Sequence, residues 1–193
     1  PGAVARADRA LSEDSVRRAG AVRLFVTVGL EAFPFDRLVS AIDDAVSEGL
    51  ISPDTFVQYG SSRTPLVAAQ GLPYLEYAEM LERISDCDAV VGHAGVGTVM
   101  ACRALNRVPI VVPRQRGLGE HLDDHQCPFA EMLESEGLAY VARGSGTLLR
   151  DELVELTRNV DEPRSSAPSG PAPGASLAAH LRSVLCALDT GKR

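Results

Sequence analysis

Short apolar segments alternate with amphipathic segments along most of this chain, and this alternation constrains its fold more than any other feature. Val22–Val28 is a β-branched run, and Phe35–Glu48 then carries apolar residues at helical spacing. Further strands are predicted at Thr55–Tyr59, Pro65–Ala69, Asp88–Val91, Val108–Val112 and Leu138–Val141, and further helices at Tyr74–Ser85, after Gly95, in the later part of His121–Ser135 and at Gly146–Leu156. Strands that alternate with helices form a mainly parallel sheet with helices on both faces. The sequence therefore predicts an α/β fold.

The composition divides the chain into one folded domain and its extensions. Residues 21–160 carry the periodic pattern, whereas residues 1–20 are polar and predict a flexible or helical arm. Residues 161–175 are rich in Pro, Ala, Ser and Gly, which is typical of a linker. An apolar stripe within residues 176–193 predicts a C-terminal helix that packs on the domain or on a partner.

The charge and hydropathy exclude several classes of protein. The chain has 193 residues, a formal net charge of -7 and 45% hydrophobic residues, as expected of a soluble globular protein. An acidic chain without a basic stripe argues against nucleic-acid binding, because such proteins neutralise phosphates with Lys and Arg. The sequence has no apolar run of the roughly 18 residues that a membrane span needs. We expect a cytoplasmic protein.

A glycine-rich turn, His93–Thr98, follows one predicted strand and opens a helix. The N-terminus of a helix presents free N–H groups and the positive end of the helix dipole, which together favour phosphate. Glycines in such turns also serve close packing of helix and strand, so both interpretations stay open at this point. The loops after Val28, Tyr59, Val91 and Val112 should share one edge of the sheet, where α/β proteins bind their ligands.

A second polar cluster, Glu120–Gln126, follows the next predicted strand. Its histidines and carboxylates resemble a metal site, but acidic residues that open a helix serve equally well as an N-cap and first turn. Asp124, His125 and Gln126 also offer donors and acceptors suited to sugar hydroxyls. The chain lacks G-x-S-x-G and G-x-x-x-x-G-K-[ST], and no G-x-G-x-x-G follows the first strand, so a serine hydrolase, a P-loop enzyme and a nicotinamide dehydrogenase are disfavoured.

Several motifs in order resemble the C-terminal domain of family 28 glycosyltransferases of the GT-B class. They are Val26–Gly29, Pro34–Val39, Gln58–Ser61, His93–Thr98, Val112–Arg114 and Glu120–Gln126. The resemblance spans residues 22–160 and is strongest to the small donor-binding subunits of two-part transferases, such as bacterial exopolysaccharide glucuronosyltransferases and the eukaryotic transferase that acts on a dolichol-linked sugar. It implies a Rossmann-like domain that binds a UDP-sugar.

The resemblance also implies roles for individual residues. Residues expected at the donor diphosphate are Gly29, His93, Gly95, Val96, Gly97 and Thr98; those at the donor sugar are Arg114, Asp124, His125 and Gln126; those at the nucleoside are Tyr77, Ala78 and Glu120. His93 and Glu31 are the catalytic candidates. Relatives commonly carry Val-Gly-Thr in the first loop, where this chain has Gly29-Leu30-Glu31, so the loss of a hydroxyl there bears on donor choice or activity.

The reaction implied by the resemblance is an inverting sugar transfer that needs no metal or other cofactor. A GT-B enzyme reacts in the cleft between two domains, so we expect this chain to require a membrane-associated, acceptor-binding subunit that recruits it to the inner face of the membrane. A lipid-linked sugar or a polysaccharide is the expected acceptor. Two alternatives stay open, namely a nucleotide-sugar-binding module without catalysis and a protein related to UDP-sugar epimerases.

Overall fold

The computed structural model describes residues 21–159, which contain a six-stranded, fully parallel sheet. The strands are β1 (Leu24–Thr27), β2 (Phe56–Gln58), β3 (Gln70–Leu72), β4 (Ala89–His93), β5 (Ile110–Val112) and β6 (Tyr140–Val141). Their order in the sheet is β3-β2-β1-β4-β5-β6. The helices are α1 (Asp36–Ser47), α2 (Tyr77–Asp86), α3 (Val96–Ala104), α4 (Gln126–Ser135) and α5 (Thr147–Asn159), with a 3₁₀ turn at Arg116–Leu118. The predicted α/β fold with a parallel sheet is confirmed.

Successive side chains of a strand point to opposite faces of the sheet, and each face packs against its own set of helices. Leu24 and Val26 of β1 pack with residues of α1 and α5, whereas Phe25 packs with residues of α2 and α3 on the opposite face. Val111 of β5 contacts the cluster formed by α3 and α4. Because both faces are covered, the central strands β1, β4 and β5 are buried and mostly apolar along their length.

The third strand lies later in the chain than the sequence predicted. The sequence predicts this strand at Pro65–Ala69, but the structure has it at Gln70–Leu72. The backbone N–H groups of Val67, Ala68 and Ala69 instead donate to the carboxylate of Asp43, at 2.9–3.1 Å. A carboxylate that accepts these N–H groups replaces the sheet hydrogen bonds that a strand would need. The Asp43 carboxylate, which belongs to α1, therefore sets where β3 begins.

The parallel arrangement brings the ends of the strands to a common edge. Register pairs Thr27 with Gly92 and His93 with Val112, so the loops after β1, β4 and β5 leave the sheet side by side. We refer to this carboxyl end of the sheet as the carboxyl edge. No helix within residues 21–159 is long and apolar enough to span a bilayer. The predicted arm, linker and C-terminal helix (residues 1–20, 161–175 and 176–193) lie outside the described residues.

Candidate functional site

The turn between β4 and α3 leaves a helix N-terminus uncovered at the carboxyl edge. Gly95 is the N-cap residue, and within the described part of the chain no side chain caps this end. The first N–H groups of an α-helix have no partner inside the helix, and here they belong to Val96, Gly97 and Thr98. A Cβ built on Gly97 meets nothing within 4 Å, so the first turn faces open space. This end of α3 can receive an anion.

The imidazole of His93 fills the space between two glycines beside this helix start. A Cβ on Gly29 would lie 2.5 Å from Cε1 of His93, and a Cβ on Gly95 would lie 2.1 Å from its Nε2. Gly29 also has a φ of 80°, a conformation that favours glycine. The loops that follow the adjacent strands β1 and β4 therefore both pack against the ring of His93.

Burial of the ring keeps His93 neutral. Burial, together with the smaller effect of the positive charge of Arg114, lowers the pKa of His93 from 6.5 to about 4. Its Nδ1 is buried and has no hydrogen-bond partner among residues 21–159. A neutral imidazole at physiological pH offers one donor and one acceptor, so His93 can bond a ligand without adding a positive charge.

Gln58 fixes the loop that follows β1. Its Nε2 donates to the carbonyl oxygens of Gly29 and Pro73, at 3.0 and 2.7 Å, and its Oε1 accepts from the Thr27 hydroxyl at 2.6 Å. The Gly29 N–H contacts the same Oε1 at 3.3 Å. Gln58 lies within the Gln58–Ser61 motif but had no predicted role, although a glutamine at the end of an apolar strand indicates a polar contact at the edge of the sheet.

Arg114 is completely buried and connects the loops after β1 and β5. Its guanidinium donates to the carbonyl oxygens of Val28 (2.7 Å), Phe33 (3.0 Å) and Glu120 (2.9 Å), and it lies 4.5 Å from the centre of the Phe35 ring. A guanidinium engaged in this way is turned inward and away from solvent. The hydrogen bonds show Arg114 positioning these loops, and its predicted contact with the donor sugar stays a prediction.

Glu120 and Gln126 are also buried, and both are bound to protein groups. The Glu120 carboxylate pairs with the Arg37 guanidinium at 2.8 and 2.9 Å, and it accepts the Gln115 N–H at 3.0 Å. The Oε1 of Gln126 accepts the backbone N–H of Arg114 at 3.0 Å. These carboxylate and amide oxygens support the loop, and the predicted nucleoside contact of Glu120 and sugar contact of Gln126 stay predictions. Arg37, which lies within the Pro34–Val39 motif, had no predicted role.

The remaining predicted contacts are exposed around the same edge. Asp124 accepts the Arg116 N–H at 2.7 Å through one oxygen, and His125 keeps 55% of its side chain exposed. Tyr77 and Ala78 are exposed at the amino end of α2, which follows the carboxyl end of β3. Glu31 is exposed in the loop after β1, where its carbonyl oxygen accepts from the Ser61 hydroxyl. The structure thus keeps Asp124, His125, Tyr77, Ala78 and Glu31 accessible at this edge.

Solved glycosyltransferases share this fold at low sequence identity. MurG of Acinetobacter baumannii aligns with a TM-score of 0.54 and 20% identity over 86% of this chain and 51% of that protein. The glycotransferase of kitacinnamycin gives a TM-score of 0.52 and 17% identity over 86% of this chain and 40% of that protein. ALG13 gives a TM-score of 0.51 and 18% identity over 77% of this chain and 91% of ALG13.

The chain spans about half or less of the first two of these proteins. Comparison with curated proteins gives no match. The family model described as the glycosyltransferase family 28 C-terminal domain matches residues 23–175, which is most of the chain. The chain therefore belongs to the glycosyltransferase family 28 C-terminal domain family.

Proposed function

We propose that this chain is the donor-binding half of an inverting glycosyltransferase that uses a UDP-sugar. The observation that carries the proposal is the uncapped N-terminus of α3 beside the neutral ring of His93. N–H groups and a helix dipole favour a diphosphate, and the open space over Gly97 gives the ligand access. Family membership supports the same assignment.

In this proposal the diphosphate lies against Val96, Gly97 and Thr98, with Gly29, His93 and Gly95 shaping the pocket. Asp124 and His125 contact the hydroxyls of the donor sugar, and Tyr77 and Ala78 flank the nucleoside. Arg114, Glu120 and Gln126 hold the loop in place from beneath. The residues assigned to the sugar and the nucleoside are exposed. The three residues assigned to support of the loop are buried and hydrogen bonded within the protein.

The reaction would join an acceptor hydroxyl oxygen to the anomeric carbon as the bond from that carbon to the diphosphate oxygen breaks. The leaving diphosphate gains negative charge, and the preoriented N–H groups at the start of α3 stabilise that charge. The hydroxyl proton passes to a base, for which Glu31, exposed in the loop after β1, is the candidate within this chain. A neutral His93 hydrogen bonds the diphosphate. No step requires a metal ion.

The acceptor side is proposed to come from another subunit. The chain spans about half of MurG, and the exposed residues of the proposed donor site lie at the carboxyl edge of the sheet. We propose a membrane-associated, acceptor-binding partner that carries a lipid-linked sugar to this edge and keeps the chain at the cytoplasmic face of the membrane. Leu30 and Leu122, which are 76% and 71% exposed beside the site, are candidates for this contact.

A ligand screen tests donor binding. The melting temperature of the 193-residue chain is measured with UDP, with UDP-GlcNAc, UDP-glucose and UDP-glucuronate, and with the matching ADP compounds, because a ligand that binds the native state alone raises it. We expect stabilisation by UDP and by at least one UDP-sugar. No shift with any of these, confirmed by calorimetry, would reject the proposal.

Transfer is tested after coexpression with the partner. Product formed by the complex but not by either subunit supports the two-part enzyme. Donor binding without transfer by the complex would favour a binding module, and isomerisation of UDP-GlcNAc without an acceptor would favour the epimerase alternative.

A further inference from the structure

Two histidines and an aspartate converge in the loop between β5 and α4. One ligand atom from each of His121, Asp123 and His125 lies within 4.8 Å of the others. Nδ1 of His121 is 3.2 Å from Oδ1 of Asp123, and Nδ1 of His125 contacts the same oxygen. We call these residues the His-Asp-His cluster. Its atoms are grouped around a single carboxylate oxygen.

The spacing and chemistry of the cluster fit a small divalent ion. Nitrogen and oxygen ligands about 2.0–2.1 Å from a tetrahedral zinc lie about 3.3 Å apart, which is close to the separation of His121 and Asp123. The contact between His125 and Asp123 must open to the same separation when an ion enters. Two imidazoles and one carboxylate suit Zn²⁺ and its neighbours in the first transition row, whereas Mg²⁺ and Ca²⁺ prefer sites made of oxygen alone.

Nδ1 of His121 lies close to two groups of Asp123. It is 3.3 Å from the backbone N–H of Asp123 and 3.2 Å from the carboxylate oxygen Oδ1 of the same residue. A cation bound between this nitrogen and this oxygen would replace both contacts with metal–ligand bonds.

The loop that carries the cluster is anchored at both ends. Glu120 precedes it and is bound to Arg37, and Gln126 follows it and is bound to the backbone of Arg114. The His121 side chain is 12% exposed, with its ring 5.6 Å from that of Phe33 and 4.7 Å from that of His125. The ligands are thus largely preorganised, which reduces the entropy lost on binding.

We propose that His121, Asp123 and His125 form a binding site for one divalent transition-metal ion, for which Zn²⁺ is the best match. The ion takes no part in the sugar transfer proposed above. Asp123 and His125 are more than half exposed, so solvent can complete the coordination sphere and the ion can enter without unfolding.

Calorimetric titration of the metal-free, 193-residue chain with Zn²⁺ tests the site. We expect each chain to bind one Zn²⁺ ion through the His-Asp-His cluster, and we expect no comparable binding of Mg²⁺. His125→Ala and Asp123→Asn change exposed residues and should each weaken Zn²⁺ binding at least about tenfold, since each removes a direct ligand. The matched control is Asp124→Asn, which removes the adjacent negative charge but no ligand and should leave the affinity within about twofold. Circular dichroism checks that each variant is folded.

Four results would overturn the site. The first is no Zn²⁺ binding by the unmodified chain, and the second is equal Zn²⁺ affinity in the cluster variants and in Asp124→Asn. The third is loss of Zn²⁺ binding in Cys127→Ser, which would assign the ion to the Cys127 thiol. The fourth is Mg²⁺ binding as tight as Zn²⁺ binding, which would contradict a site built on imidazoles.

One consequence of the site rests on the proposed function. If His125 contacts the donor sugar, Zn²⁺ should compete with the donor, so saturating Zn²⁺ should weaken UDP-sugar binding at least about tenfold in the unmodified chain but not in Asp123→Asn. Zn²⁺ binding without this antagonism would overturn the link to the donor. Because Zn²⁺ is titrated without donor, failure of UDP-sugar binding leaves the result for the metal site unchanged.

Discussion

The imidazole of His93 lies so close to Gly95 that a Cβ on that glycine would come within 2.1 Å of Nε2. No side chain other than hydrogen is compatible with this contact. The same holds on the other side of the ring at Gly29, where an added Cβ would lie 2.5 Å from Cε1. The shape of the site at the start of α3 therefore depends on the absence of two side chains.

Gly95→Ala should displace His93 and disturb the helix start. We expect a loss of stability of about 1–3 kcal/mol, as for overpacking of a core, and a fall of at least about tenfold in donor affinity. Urea unfolding and calorimetry with UDP measure the two effects. Gly97→Ala is the control for stability, because a Cβ there meets nothing within 4 Å. Equal losses of stability in the two variants would contradict the packing argument.

Gly97→Asp should remove donor binding while leaving the fold intact. An aspartate in the first turn is favourable to the helix dipole, and this position has room for a side chain, but its charge would repel a diphosphate. We expect UDP affinity to fall at least about tenfold with a melting temperature close to that of the unmodified chain. Gly97→Asn, similar in size and uncharged, should retain more affinity. Unchanged UDP binding by Gly97→Asp would exclude the diphosphate from this turn.

Removing the partner of a buried carboxylate should destabilise the protein strongly. The side chains of Arg37 and Glu120 are only 9% and 5% exposed, so Arg37→Met leaves an unpaired buried charge and should cost about 3–5 kcal/mol of the free energy of unfolding. Arg143 pairs with Glu134 at the surface, where both are more than 40% exposed, and Arg143→Met should cost less than about 1 kcal/mol. Urea unfolding that gives similar costs for both variants would contradict the importance of burial.

Acid should destabilise the protein through His93. Its pKa is about 4 in the folded state and about 6.5, the ordinary value for histidine, in the unfolded state. As the pH falls below 6.5, the unfolded state therefore binds the proton first. Stability should therefore fall between pH 6.5 and pH 4, by up to about 3 kcal/mol from this group. Below pH 4 the His93 contribution should no longer change.

Comparison with His93→Gln isolates this contribution from the other histidines. The free energy of unfolding is measured from urea titrations at several values between pH 4 and pH 7.5. The unmodified chain should lose more stability than the variant over this range. Parallel pH profiles for the two proteins would show that the ring is not held neutral.

Apolar periodicity sufficed to predict the class of fold because strands and helices impose different spacings on buried residues. It also identified the turn at His93–Thr98, since a glycine-rich segment between a strand and a helix has few structural interpretations. The position of β3 could not be obtained in this way. Pro65–Ala69 is apolar enough for a strand, and only the carboxylate of Asp43, 24 or more residues earlier in the sequence, diverts its N–H groups.

The sequence by itself determined a parallel α/β sheet, the loops at its carboxyl edge and the resemblance to a glycosyltransferase domain. Only the tertiary structure decided which polar residues at that edge are buried and which are exposed. Arg114, Glu120 and Gln126 are buried and hydrogen bonded to other groups of the protein, whereas Asp124 and His125 are exposed. The physical reason is that a buried polar group must find a hydrogen-bond partner, and its partner here lies on a loop distant in the chain, which local sequence does not reveal.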